Sequence, residues 1–226
     1  MDNYFLETSY FILFYVNFLV TYSVTGFFCF HNDMKKLENK IQITTREECL
    51  KLYKKSINLV TFNILVTVPS FFISFSYFYN MYIGSLISTD FFNVFDILKF
   101  FCNIILIDIF FYLFHRLFHC NFLYKRYHKK HHEFIKPVSI SALYNHPIDC
   151  IFGNVLPVML PIFILREGFL ISNIWITICV IDTIYLSHYG SHGESEFHDL
   201  HHEKFNYNFG TKLFMDRLFN TYRKNR

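Results

Sequence analysis

Residues 148–187 read IDCIFGNVLPVMLPIFIL, then REG, then FLISNIWITICVIDTIYLS: two long apolar runs parted by Arg166-Glu167-Gly168. At 1.5 Å of rise per residue, each run nearly covers a hydrocarbon layer about 30 Å thick. The charged break, closed by a glycine, predicts a hairpin turn between two helices. Pro157 and Pro161 lie inside the first arm and predict a kink. Working outward, Tyr10–Phe30 is 21 residues without a charge. It has no basic front and no small-residue cleavage site, so a retained span is expected rather than a signal peptide. Ser56–Thr89 is 34 uncharged residues, more than one crossing needs. A span is expected near Ile57–Tyr79, bent at Pro69, with the remainder interfacial. Phe100–Phe114 is a shorter run interrupted by Asp108.

Composition agrees with membrane burial. The 226 residues are 53% hydrophobic, 21% aromatic and only 17% charged, whereas a soluble domain carries about a quarter charged residues. The apolar content also excludes disorder. A formal charge of +3 is too small to argue for nucleic acid. The six cysteines lie far apart with no C-x-x-C pair, which fits reduced packing thiols. Alternating the spans places residues 31–56, 115–147 and 188–226 on one side, and these hold 19 of the 21 Lys and Arg. By the positive-inside rule that side is cytosolic. The expected fold is an all-α integral membrane protein, with four to five transmembrane helices and a cytosolic histidine-rich cap. Residues 1–99 form an N-terminal membrane region and 100–226 the catalytic region.

Eleven of the twelve histidines fall between His115 and His202. They are spaced His115-x3-His119, His128-x2-His131-His132, Asn145-His146-Pro147, His188-x3-His192 and His198-x2-His201-His202. Helical residues three and four apart share a face, so each set is expected to aim two or three imidazoles at one spot. Imidazole suits zinc, copper, iron or nickel, and ten such ligands suggest two metals with about five nitrogens each. His31 stands alone and reads as interfacial.

The series resembles the membrane-bound fatty acid hydroxylase superfamily, over about residues 100–226. Ala142-Leu143-Tyr144-Asn145-His146-Pro147 and Phe197-His198-Asp199-Leu200-His201-His202 are similar to sphingoid-base C4-hydroxylases. The former is somewhat less similar to C4-methylsterol oxidases. Phe205–Gly210 and Met215-Asp216-Arg217-Leu218 resemble sterol C5-desaturases, and His188–Gly193 resembles fatty acid 2-hydroxylases. The resemblance implies a multi-pass endoplasmic-reticulum enzyme that oxidises a lipid with O2. It also implies two iron ions (Fe) and electrons from cytochrome b5 and its reductase. The ligand positions it implies are His115, His119, His128, His131, His132, His188, His192, His198, His201 and His202. Only nine residues separate His188 from His198, where relatives carry a longer insertion. His192 is therefore either a replacement ligand or a loop histidine.

Around the clusters, Asp199 is placed to hold a ligand imidazole through its second N–H. Asp108 and Asp182 read as members of such a network or as ordinary interior pairs, and Asp149, one turn after His146, is similarly placed. Asn145 and His146 read as supporting residues or substrate contacts. Lys125, Arg126, Lys129 and Lys130 read as charge facing membrane lipid, or as a docking face for an acidic electron donor. No catalytic Ser or Cys motif stands apart from the histidines. With no dinucleotide fingerprint and no haem domain, the donor is expected to be a separate protein. The expected activity is hydroxylation of a sphingoid base or C4-methyl sterol, with desaturation as the alternative. A histidine-rich metal transporter is the rival from another class, but it would spread histidines along the spans.

Overall fold

A computed structural model describes residues 2–82, 92–193 and 195–224, with side chains for 9–77, 92–193 and 195–224. Helices α1 (Asp2–Lys35), α2 (Arg46–Phe62), α3 (Val68–Tyr82), α4 (Asp96–Phe118), α5 (Asn121–Arg126), α6 (Pro147–Asp149), α7 (Leu156–Leu165), α8 (Phe169–Ile181), α9 (Glu196–Lys204) and α10 (Phe214–Leu218) follow in order. Among the described residues, five stretches are long and apolar enough to cross a membrane: Ser9–Lys35, Arg46–Tyr77, Asp96–Phe118, Pro147–Leu165 and Phe169–Ser187. Lipid offers the backbone no hydrogen bonds, so an uncharged run must satisfy its own, and the helix does so.

The second span begins well before Ile57. Thr45 caps it by accepting from the Glu48 backbone N–H at 3.2 Å, and Glu47 and Glu48 occupy its positive end. Where a bend is expected at Pro69, a π-helical turn, Asn63–Thr67, precedes the proline. Of the interfacial remainder expected after this span, residues 80–82 continue α3 instead, and 83–89 lie outside the described residues. Two more π-helical turns, Cys150–Val155 and Asp182–Ser187, join α6 to α7 and extend α8. Each adjoins a histidine-bearing segment, and such wide turns often mark functional sites.

Helix α1 packs against α3 and α8, and α4 against α7. Phe14 is fully buried and stacks on Phe169 at 5.5 Å. In lipid such burial gains little transfer energy, since lipid tails are as apolar as the core; close packing and polar contacts hold the helices instead. Asn17 Nδ2 donates to the Asn173 carbonyl at 2.9 Å, and Thr177 Oγ1 donates to Asn17 Oδ1 at 3.1 Å. Outward, Phe27 and Ile73 are each 70% exposed, as befits a surface solvated by hydrocarbon.

The turn between α7 and α8 forms where the charged break predicts it, but Arg166 rather than Gly168 takes the left-handed conformation (φ 48°). Glu167 is fully buried there and accepts from Asn103 Nδ2 at 2.7 Å. Burial pushes its carboxyl up to about 7, against the pull of the Asn103 hydrogen bond. The unfolded acid ionises near pH 4.3, so between there and pH 7 the folded chain binds more protons and stability falls as pH rises. The melting temperature of the wild type is expected to drop across that window. Glu167→Gln is expected to flatten the slope; an unchanged slope would assign the pH dependence elsewhere.

At the opposite end, the strap between α1 and α2 pairs with the segment after α8. The Ile41 N–H donates to the Gly190 carbonyl at 2.9 Å and the His192 N–H to the Asn39 carbonyl at 3.0 Å. Gly190 has φ +65°, and an added Cβ would lie 3.0 Å from the Pro137 carbonyl oxygen, so this close approach needs glycine. Beneath the strap, Lys40 Nζ meets Asp33 Oδ1 at 2.9 Å, both side chains essentially solvent-free. Lys40 also donates to the Tyr189 carbonyl, and Tyr53 donates to Asp33 Oδ2 at 2.8 Å.

Candidate metal centre

Nine of the ten expected histidines gather in two groups: His115, His119, His128, His132 and His201 in one, and His131, His188, His198 and His202 in the other. In each group the nitrogens offered lie within 4.8 Å of one another. The last turn of α4 supplies His115, the residue that caps it is His119, and the 3₁₀ turn His128–Glu133 and α9 supply three more each.

The expectation that each triad aims at one spot is corrected. The outer pair His128 and His132 joins the first group while His131 crosses to the second; the outer pair His198 and His202 joins the second while His201 crosses to the first. On α9 successive residues diverge by about 100°, so His201 and His202 cannot converge, whereas the i, i+4 pair His198 and His202 diverges by only about 40°. The crossing locks the groups together: His132 and His202 have ring centroids 4.9 Å apart.

His192 lies outside both groups. It has the i+4 spacing from His188 that His119 has from His115, but the chain turns at Gly190 instead of continuing a helix. Its side chain is 64% exposed and its Nδ1 pairs with Glu196 at 3.0 Å.

Within the groups, facing Nε2 atoms stand 3.1 Å apart for His132–His119 and His132–His128, 3.0 Å for His198–His188 and 3.1 Å for His202–His198. Two nitrogens each about 2.1 Å from one ion and at right angles to each other would lie about 3 Å apart. The far side of several rings fixes the tautomer. The Nδ1–H groups of His115, His201 and His188 donate to the carbonyls of Phe209 (2.8 Å), Tyr207 (2.7 Å) and Thr183 (2.8 Å). A carbonyl can only accept, so each Nε2 turns a lone pair inward. The Nε2 atoms of His115 and His201 are buried without a hydrogen-bond partner. Burial, reinforced in most by neighbouring histidines, pulls His119, His131, His132, His198 and His202 well below the usual imidazole range. Burial also brings His188 to about 4 and His201 to about 3. These seven imidazoles are therefore neutral at pH 7. Such a donor set fits first-row transition ions.

The supporting residues fall in unexpected places. Asp149 Oδ2 sits 2.9 Å from His128 Nδ1. Asp199 is buried and accepts from Gln42 Nε2 at 2.9 Å. Asp108 acts one step removed, accepting from the backbone N–H groups of Lys212 (2.7 Å) and Met215 (2.9 Å). Asp216 accepts from Phe209 N (2.8 Å) and Gly210 N (2.7 Å). Together they clamp the loop whose carbonyls orient His115 and His201. The loop approaches so closely that a Cβ on Gly210 would lie 2.6 Å from Asp108 Oδ1. Asp182 instead pairs with Lys212 Nζ at 2.6 Å. Asn145 accepts from Asn63 Nδ2 at 3.0 Å. His146 caps α6 by accepting from the Ile148 N–H at 3.1 Å, outside both groups. Sequence reasoning passed over the three carbonyls and Asp216; the signal lay in Phe205–Gly210 and Met215–Leu218, quoted above only for their resemblance.

Asp149→Asn removes the charge that holds His128. Metal affinity is expected to fall about 10- to 100-fold, as for other carboxylates behind a metal-binding histidine. Metal retained against a graded chelator series measures this, with the inserted protein unchanged in amount. Wild-type retention would leave the Asp149–His128 contact without a role in holding metal.

The sequence profile of the fatty acid hydroxylase family matches residues 100–221. The human fatty acid hydroxylase domain-containing protein 2 is 37% identical over 118 residues, which are 50% of this chain and 35% of that protein. The very-long-chain aldehyde decarbonylase GL1-8 of Oryza sativa subsp. indica is 30% identical over 190 residues, 74% of this chain and 69% of the relative. Sphinganine C4-monooxygenase 1 of Arabidopsis thaliana is 30% identical over 139 residues, 55% of this chain and 54% of the relative. The matched part thus spans about a third of the human relative's length. No solved structure matches.

Proposed function

The chain belongs to the fatty acid hydroxylase family, and from that premise we propose that it is an O2-dependent lipid oxidase, a hydroxylase, holding two iron ions. The observation that carries this reading is the convergence of nine histidines, eight buried and His119 half-buried, in two interlocked groups, with the lone pairs of His115, His188 and His201 turned inward. The first group would hold one ion with His115, His119, His128, His132 and His201, the second the other with His131, His188, His198 and His202. When bound, the irons supply reductive activation of O2 and removal of hydrogen from an unactivated C–H bond. Overall, R–H, O2, two electrons and two protons become R–OH and water.

The chain's own residues set the conditions. The carbonyls of Phe209, Tyr207 and Thr183 and the Asp149 carboxylate keep the imidazoles oriented. Phe205 and Phe209, with ring centroids 4.8 Å from His132 and 5.4 Å from His201, help exclude water. The one-sided distribution of Lys and Arg supports placing the histidine end in the cytosol, where a donor such as cytochrome b5 with its reductase would reach it. A multi-pass protein of the endoplasmic reticulum membrane fits that arrangement. Gathering the histidines at one end, rather than along the spans, speaks against a metal transporter. A sphingoid base or C4-methyl sterol is the proposed substrate, and the relative named for sphinganine C4-monooxygenation supports that class.

Elemental analysis of the purified chain, with sphingolipid and sterol profiles of cells with and without its gene, tests the proposal. Two irons per chain and loss of one hydroxylated lipid are expected. One ion or none would overturn the two-iron assignment, and unchanged profiles would overturn the lipid assignment.

A further inference from the structure

Beside the second histidine group lies a cleft of two lobes. The wider lobe, about 340 Å³, is lined by His188 and His198, with Phe197 and Asn208 around them. The narrower lobe, about 210 Å³, lies among Phe100, Ile104, Ile107, Trp175 and Ile178 of α4 and α8. Phe111, Asp182, Thr183, Thr211 and Lys212 line both lobes, so the two meet at a shared neck. Ile104 and Ile178 are 36% and 42% exposed, which places the inner lobe against the lipid-facing surface.

The neck is polar, at the junction of the apolar inner lobe and the histidine-lined outer one. Lys212 Nζ and Asp182 Oδ1 are 2.6 Å apart, and Thr211 Oγ1 is buried without a hydrogen-bond partner. A buried hydroxyl left unpaired is unfavourable by itself, and a ligand group that pairs with it removes the penalty. Both histidines lining the wider lobe belong to the four-histidine group, where the i+4 partner of His188 is turned away.

Resting on the lipid-oxidase reading, we propose that this cleft is the substrate site: the neck formed by Asp182, Thr211 and Lys212 binds a hydroxyl- or amine-bearing lipid head, while the hydrocarbon lies in the inner lobe. The apolar part belongs in the apolar lobe because moving it out of water is favourable and the head can then pair at the neck. Asp182 and His188 are six residues apart, at the two ends of the π-helical turn that extends α8. A lipid held this way presents to the histidines the carbons next to its head rather than its distal end. The neck is thus a specificity determinant, and oxidation falls within a few carbons of the head.

Trp175 makes this measurable, since it is the sole tryptophan, is 3% exposed and lines the inner lobe. Full-length protein in detergent is titrated with sphinganine brominated near its chain end, with a 4-methyl sterol brominated on its side chain, and with a bromoalkane of equal length. Saturable quenching of Trp175 by sphinganine or the sterol is expected, with the bromoalkane needing at least about tenfold more; which of the two quenches identifies the head. Thr211→Val and Asp182→Asn are expected to raise the half-quenching concentration about tenfold, the loss of one hydrogen bond. Thr211→Ser, which keeps the hydroxyl, stays near wild type and separates head recognition from misfolding. Equal quenching by the bromoalkane, no quenching by either head-bearing lipid, or variants indistinguishable from wild type would each overturn the proposal. Iron content read on the same samples keeps the two readings apart: quenching does not need iron, so its loss at full iron content sinks the lipid site alone.

Discussion

Replacing His201 with alanine is expected to abolish turnover and to lower metal content, while leaving the protein inserted in the membrane. His201 is the histidine that α9 sends across to the first group, and its ring lies 4.4 Å from His115, 4.9 Å from His119 and 4.9 Å from His132. Its Nδ1–H is held by the Tyr207 carbonyl and its Nε2 has no other partner. Alanine removes one nitrogen in five from that group and leaves a void among the remaining four rings. The spans that drive insertion are untouched. His31, exposed and with its ring 6.3 Å from Phe27, is the control, and His31→Ala is expected to be silent. His192→Ala is the sharper comparison, because His192 shares the spacing of a ligand but stands in solvent. It is expected to keep wild-type iron content. Full lipid oxidation by the His201 variant would refute the first group as drawn, and loss of iron from the His192 variant would return that residue to the site.

Lys40→Met is expected to destabilise the fold by about 3–5 kcal/mol, because it leaves Asp33 buried and unpaired. Both side chains are out of water, and burial pulls the Lys40 ammonium below its usual range while Asp33 partly restores it. Removing both charges differs from removing one. Asp33→Asn in the same chain keeps an acceptor for the Tyr53 hydroxyl and is expected to recover most of the loss. Thermal unfolding in detergent reads both variants. A loss under about 1 kcal/mol for Lys40→Met would mean that the pair is hydrated in solution, as exposed ion pairs are. Because the strap is bonded to residues 190–192, its loosening should also be felt at His188.

The spans were legible because lipid demands an unbroken apolar run, and the hairpin at Arg166-Glu167-Gly168 is legible for the same reason. The start of α2 was not, since its first turns are polar and are marked only by Thr45 and the two glutamates after it. Among the histidines, spacing pointed to nine that gather and wrongly to His192, and it did not show how the nine are shared. His115-x3-His119 and His188-x3-His192 look alike on paper; one lies on a helix and the other spans a left-handed glycine. A backbone carbonyl has no signature in the side-chain alphabet, so the partners of His115, His201 and His188 could not be read. Asp108 was noticed for its depth beside the histidines, yet it serves a loop more than a hundred residues away.

Because His131 rides on the same turn as His128 and His132, and His201 on the same helix as His198 and His202, neither histidine group can be completed while the other stays open. On the two-ion reading proposed above, loading would be concerted: an ion captured by one group would draw the crossing segment into register for the other, and a chain carrying a single ion would be scarce. The crossing also binds the two centres in descent, since any deletion that removes either segment strips histidines from both.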